Sequence, residues 1–115
     1  MQGREHVHEL SICQGIVDSV CEAVPEGKVL GVTVEIGRLS GVVPDAVRFC
    51  FDACTRGTRV EGARLDIVDV PGRGRCGSCE RELDVDALVM RCPCGNPFLE
   101  ILRGRELRIR SVEVN

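Results

Sequence analysis

Both histidines of the chain, His6 and His8, stand one residue apart in "REHVHELSIC", and an acid, Glu9, follows directly. Imidazole is the commonest protein ligand for metals and titrates near neutral pH. Chain ends are ordinarily poorly ordered, so on residue types alone a solvated "EHVHE" is the bland reading and a metal site the sharp one. The other chemistry-bearing element is sulfur. Of eight cysteines, four form two close pairs, Cys76 and Cys79 in "CGSC" and Cys92 and Cys94 in "CPCG".

Twelve residues separate the two pairs, enough for a short hairpin that brings both onto one ion. A structural zinc site takes four soft ligands in a tetrahedron, and two adjacent turns can each supply two thiolates. Gly77 and Gly95 are expected to let those turns curl around the sulfurs. The apolar residues nearby, Leu83, Val85, Leu88, Val89 and Met90, are too few for an independent core, so a metal would have to supply the folding energy of this stretch. Two disulfides, or iron in a rubredoxin-like S4 site, are the competing readings. The second pair is also one residue shorter than the usual turn, which implies a more strained bite.

The remaining cysteines, Cys13, Cys21, Cys50 and Cys54, occupy helical positions and read as small buried hydrophobes. A catalytic thiolate would want a neighbouring histidine or a strongly cationic setting. Neither histidine is near in sequence, although the terminal ones could fold over Cys13. A thiol redox enzyme built on "CGSC" would instead show reversible dithiol chemistry without metal.

The elements that must carry these groups follow from periodicity. Leu10, Cys13, Val17, Val20 and Val24 recur three or four apart, which predicts one buried stripe of a helix that "PEG" at 25–27 ends. Leu30, Val32, Val34 and Ile36 alternate with Gly31, Thr33, Glu35 and Gly37, the pattern of a strand with one apolar face. Pro44 and Asp45 suit the first turn of a second helix with Val47, Cys50, Phe51 and Cys54 inward and Gly57 as its stop. Strands are expected over 63–70 and 107–114, the latter with Arg108 and Arg110 on its wetter face and a change of apolar phase near Ser111. The expected architecture is α+β: two helices packed on a small mixed three-stranded sheet, with an inserted zinc-ribbon-like domain. The expected boundaries are 1–71 plus 104–115 for the body and 72–103 for the insert.

Composition narrows the function classes. The 115 residues suffice for one ordinary domain, and 43% hydrophobic with 29% charged content supports a packed core. There is no Trp or Tyr and only three Phe, which disfavours base-stacking platforms and aromatic ligand grooves. A net charge of −3 gives no general attraction to nucleic acid, despite the local arginines between Arg103 and Arg110. No apolar run approaches a membrane span and no secretory signal is visible. Reduced thiols in a cytoplasmic setting are therefore expected, with neither nucleic acid nor membrane as partner.

Four stretches carry a resemblance: "HELSICQGIVDSV", "VTVEIGRLSGVVPDAVRFCFDACTRGT", "EGARLDI" and "CGSC…RCPCG…GRELRIRSVEV". In order and spacing they resemble the HypA/HybF family of hydrogenase maturation nickel chaperones, from His8 to the end of the chain. The resemblance implies a nickel carrier rather than an enzyme. In that family a His-Glu pair directly after the initiator methionine carries nickel, and its match here is His8 and Glu9. The family's site uses the histidine imidazole and backbone amide, the free terminal amine and nearby donors, a nitrogen-rich set that suits Ni(II). Six residues precede Val7 here, a departure from the pattern. We expect Val7 to be an initiation site, because a GUG codon reads as valine internally and as methionine when it initiates; failing that, His6 would replace the missing amine. The family's zinc domain has two C-x-x-C pairs; Cys76 and Cys79 match the first, and Cys92 and Cys94 match the second less one residue, so Zn(II) carries over as the structural ion and Ni(II) as transient cargo. The implied partners are a HypB-type GTPase, the large subunit of a [NiFe]-hydrogenase and, as a further client, urease maturation proteins. The alternative is a zinc-ribbon module for protein interaction or nucleic-acid binding without a nickel role.

Overall fold

The computed structural model describes residues 3–86 and 91–115, with the side chains of the first helix described from Glu9 onward. That helix, α1 (Gly3–Ala23), begins seven residues before the apolar pattern that announced it at Leu10. Its buried stripe is also rotated from the expectation. Cys13, Ile16, Val17 and Val20 are buried, but Leu10 is 47% exposed and the buried position one turn before Cys13 belongs to Glu9, at 2%. Leu10 is thus a correction to the expected stripe. Val24 is half-buried, just past the helix end, where its amide still bonds the Val20 carbonyl at 2.8 Å.

The first strand, β1 (Val29–Gly37), buries Val32, Val34 and Ile36 as the alternation requires, together with Val29. Leu30, expected on the same apolar face, keeps 40% exposure at the strand's beginning. The second helix, α2 (Pro44–Thr55), starts with proline in its first turn, where the missing N–H costs no hydrogen bond. It buries Val47, Cys50, Phe51 and Thr55, and Gly57, at φ +77°, supplies the left-handed residue just beyond it. Strand β2 (Arg64–Val70) and the last strand, β6 (Leu107–Val114), flank β1 in a sheet of order β2-β1-β6. The Leu65 and Ile67 face of β2 is only half-buried. Hydrogen bonds from Val29 N–H to the Arg59 carbonyl and from Arg38 N–H to the Val70 carbonyl progress in the same direction along both chains. Those from Asn115 N–H to Lys28 and from Gly37 N–H to Glu106 run in opposite directions. The sheet is therefore mixed, with α2 as the crossover between its parallel pair.

Three short strands, β3 (Arg73–Cys76), β4 (Glu82–Asp84) and β5 (Leu99–Arg103), form a second sheet of order β4-β3-β5. It is antiparallel throughout, with Arg75 opposite Glu82 on one side and Glu100 on the other. A simple hairpin was expected here; the third strand pairs because the chain returns past Cys94 alongside β3. Leu88, Val89 and Met90, counted among the apolar residues of this stretch, lie outside the described residues.

The chain divides into two compact units, Met1–Val34, Val43–Ile67 and Ile109–Asn115 in one, Glu35–Val42 and Val68–Arg108 in the other. In the first, α1 packs on α2, and Cys13, Val17, Val20, Val29, Val32, Val34, Val47, Phe51 and Val60 make the core. In the second, backbone approaches backbone. A Cβ on Gly37 would lie 1.9 Å from the Gly104 carbonyl oxygen, while Leu39 N–H bonds that same carbonyl at 2.7 Å. Gly104 itself sits at φ +115°, a conformation that only glycine adopts without strain. Gly37→Ala is therefore expected to destabilise the chain by about 3 kcal/mol, the upper end for overpacking. A shift of the urea midpoint at unchanged slope would register it, and an unshifted midpoint would refute the close approach.

Candidate metal centre

Strand β3 delivers Cys76 at its end, and the chain turns at once through Gly77, Ser78 and Cys79. Glu80 N–H closes that turn on the Cys76 carbonyl at 2.9 Å, and Cys76 N–H donates to the Arg81 carbonyl at 2.9 Å. The left-handed residue of the turn is Glu80, at φ 63°, and not Gly77 as expected from composition. The second turn does use its glycine: Gly95 sits at φ +103° and its N–H bonds the Cys92 carbonyl at 2.9 Å.

These two turns bring together the four sulfurs paired in sequence. The Sγ atoms of Cys76, Cys79, Cys92 and Cys94 all lie within 4.8 Å of one another. Cys76 and Cys94 approach to 3.6 Å, as do Cys79 and Cys92. A tetrahedron with metal–sulfur bonds of about 2.3 Å places its sulfurs about 3.8 Å apart, so the spacing needs little adjustment to close on one ion. The missing residue of the C-x-C pair does not prevent this. The closest sulfur separations in the cluster, 3.6 Å, are those of neighbours around one ion and well beyond a disulfide bond of about 2.05 Å. Cys76 and Cys92 are buried, whereas Cys79 and Cys94 are exposed, giving the cluster one inner and one outer ligand from each turn. Four soft donors in a tetrahedral arrangement are compatible with zinc.

Backbone amides prepare the sulfurs for charge. Cys76 Sγ accepts from the Ser78 and Cys79 N–H groups at 3.4 and 3.5 Å, and Cys92 Sγ accepts from Cys94 N–H at 3.5 Å. The Cys79 amide above all, helped by Ser78 and Asn96, lowers the Cys76 thiol to about 6. Cys92 feels a similar pull from the Cys94 amide, but burial and the neighbouring sulfurs push it up to about 12. Without an ion the cluster thus holds one readily formed thiolate beside one that resists ionisation, and a dication reverses that resistance.

Sequence reasoning missed Asn96. Its Nδ2 donates to Cys76 Sγ at 3.5 Å and to Ser78 Oγ at 3.1 Å, while its Oδ1 accepts from Phe98 N–H at 3.0 Å. The side chain thereby ties the second turn to the first. Only its place directly after "CPCG" hinted at this. Outer partners of this kind typically contribute 10–100-fold to metal affinity, and Asn96→Ala is expected to weaken zinc binding about tenfold, measured by competition with a chromophoric chelator.

Of the other sulfurs, Cys13 and Cys50 are buried as expected, whereas Cys21 and Cys54 are only half-buried. Cys13 is fully buried, and its S–H donates to the Val47 carbonyl at 3.2 Å. Burial, with Cys54 and Cys50 beside it, pushes its thiol up to about 12. That suppresses the nucleophilic form. Of the terminal candidates, Glu9 is buried with its Oε2 accepting from Val43 N–H at 3.2 Å and its Oε1 without a partner. His6, Val7 and His8 belong to α1 by backbone, and their side chains lie outside the described residues.

The family model described as "Hydrogenase/urease nickel incorporation, metallochaperone, hypA" matches residues 7–114. The chain belongs to the HypA family. Among curated relatives, a hydrogenase maturation factor HypA of Geobacter metallireducens is 53% identical over 110 residues, covering 94% of this chain and 99% of its own. Its counterpart in Nostoc punctiforme is 46% identical over 108 residues, covering 94% and 96%. The solution structure of the Ni metallochaperone HypA from Helicobacter pylori superposes with a TM-score of 0.65 at 25% identity, over 92% of this chain and 96% of that one. The α+β architecture of two helices with a small mixed sheet and a small antiparallel one is thus that of HypA, a family of nickel-incorporating metallochaperones for hydrogenase maturation. No described helix is long and apolar enough to cross a membrane.

Proposed function

We propose that this HypA chain binds Ni(II) at its His8-Glu9 motif and delivers it to the large subunit of a [NiFe]-hydrogenase, with a HypB-type GTPase as co-worker and urease maturation as a further outlet. The observation that carries the reading is the family match, which extends from Val7 and so takes in His8 and Glu9. Zn(II) is the resident ion, held by Cys76, Cys79, Cys92 and Cys94 within the stretch 72–103; when bound it supplies folding energy and no chemistry on the cargo. The imidazole of His8, with backbone nitrogen and with His6 as an auxiliary donor, makes a set that suits Ni(II). Donors near a chain end can be exchanged one by one with those of an acceptor, which is what a carrier needs.

The alternative of a zinc-ribbon module reading nucleic acid finds less support on the ribbon itself. Arg73 pairs with Asp84 at 2.8 Å, and Arg75 lies 3.5 Å from both Glu82 and Glu100, so these cations are already matched by acids. The test is X-ray absorption at both metal edges on protein loaded with zinc and nickel. Nickel among nitrogen and oxygen donors with zinc among four sulfurs supports the proposal. Nickel among sulfurs would defeat it.

A further inference from the structure

Among the described residues, β6 stands at the end of its sheet and pairs with β1 alone. Most of the strand is exposed, with Leu107 at 41% and Val114 at 48%. Two hydrogen bonds show which backbone groups point away from β1. Gly37 N–H donates to the Glu106 carbonyl at 2.7 Å, and Asn115 N–H donates to the Lys28 carbonyl at 3.1 Å, so Glu106 and Asn115 both face β1. Backbone groups alternate in direction along a strand. Counting from Glu106 therefore aims Leu107 and Ile109 at the free edge, and counting back from Asn115 aims Val114 and Val112 there. The two counts meet at Arg110 and Ser111, where an extra residue must interrupt the alternation, as the change of apolar phase requires. Arg108 and Glu113 consequently share the other, polar face. Arg108 donates to Glu35 of β1, and Glu113 accepts from Arg64, whose guanidinium lies over Gly31 of β1; Gly31 and Glu35 are four apart and so on one side of that strand.

Laid antiparallel against its own copy, this edge is self-complementary. With Arg110 opposite Ser111, Leu107 meets Val114 and Ile109 meets Val112 as hydrogen-bonded pairs on the apolar face, and Arg108 meets Glu113 on the polar face. Opposite charges directly across a ladder stabilise it, and like charges do the reverse. Parallel pairing would set Arg108 against Arg108 and Glu113 against Glu113. We infer that the chain associates with a second copy of itself through the free edges of β6, the two strands running antiparallel about a two-fold axis and joining two three-stranded sheets into one. Such an axis repeats every match. A strand of another sequence would have to answer Arg108 and Arg110 on the polar face, and edge charges of this kind guard a sheet against indiscriminate pairing.

The test combines sedimentation velocity with hydrogen exchange on the zinc-loaded full chain. As concentration rises and the unsubstituted chain dimerises, the outward amides of Ile109 and Val112 should exchange at least about tenfold more slowly, while the Gly37 amide, already bonded to Glu106, stays unchanged. Glu113→Arg and Arg108→Glu each oppose like charges twice across the axis and should weaken association at least about tenfold. The double variant restores the match and should return association to within about threefold of the unsubstituted chain. Each substitution also breaks a pair within the chain, but those losses recur in the double variant, so its recovery reads the contact across the axis. A chain that stays monomeric up to about 1 mM overturns the inference. So does a dimer whose Ile109 and Val112 amides exchange as fast as in the monomer, or one that both single variants leave intact. Failure of the double variant to recover rejects the register and the inference with it.

Discussion

Stripping the sulfur-bound ion with a strong chelator is expected to abolish amide protection across β3, β4 and β5 while the helices α1 and α2 persist. The reason lies in what else supports that stretch. Among its described residues, the buried apolar side chains from 72 to 103 are Cys76, Val85 and Cys92, and two of those belong to the sulfur cluster. Its cross-strand ion pairs are solvent-exposed, as in Arg73–Asp84, where the partners keep 35% and 91% exposure. Pairs of that kind contribute about 0–1 kcal/mol each. A structural zinc contributes on the order of 10–16 kcal/mol in small domains, so it outweighs every other support in the stretch. The helices have a separate core around Val17, Val20, Val47 and Phe51. Cys76→Ser should reproduce the chelated state.

The pH dependence has a definite sign. The Cys76 thiol in the folded cluster titrates near 6 rather than 9.0, so the stability it contributes is complete above the unfolded value and is lost as pH falls through about 6. Acid should therefore release zinc, with protons taking its place on the sulfurs. Uptake at neutral pH should expel a proton from Cys92, whose thiol lies near 12 without the ion, a release that calorimetry in buffers of different ionisation enthalpy detects. Persistent protection of β3 to β5 in chelated protein would show that the ribbon stands without metal.

What could be read from the chain beforehand depended on how local each signal is. The four-sulfur cluster was legible because Cys76, Cys79, Cys92 and Cys94 are close in sequence and thiolate chemistry restricts their uses. Helix α2 was legible because Pro44 and Gly57 mark its two ends and a regular stripe lies between them. The true face of α1 was not. Glu9 and Leu10 differ by one position, and hydropathy favours Leu10 for burial; only the amide of Val43, 34 residues away, makes a buried carboxyl worthwhile. The third strand of the small sheet escaped for a similar reason, since Leu99–Arg103 pairs with β3 through a register that no local pattern encodes. Asn96 acts through a hydrogen bond to a distant sulfur, and residue type alone does not announce such a bond.

His8→Ala is expected to cost at least about 100-fold in nickel affinity while leaving one zinc per chain. The magnitude follows from comparison: groups that merely orient a metal ligand are worth about 10–100-fold, and His8 is proposed as a donor. Selectivity follows from donor type, because imidazole and amide nitrogen suit Ni(II) whereas four thiolates suit zinc. The two effects are separable, since none of the zinc ligands lies on α1. Proton competition gives a second check. An imidazole must be neutral to bind, so acidification should drive nickel off the unsubstituted chain. Zinc release, governed by thiols, should follow a different pH profile from nickel release in one titration. If His8→Ala holds nickel as firmly as the unsubstituted chain, or if the two metals leave together with sulfur at the nickel edge, then cargo and resident ion share the cysteines and the division of donors proposed for this chain is wrong.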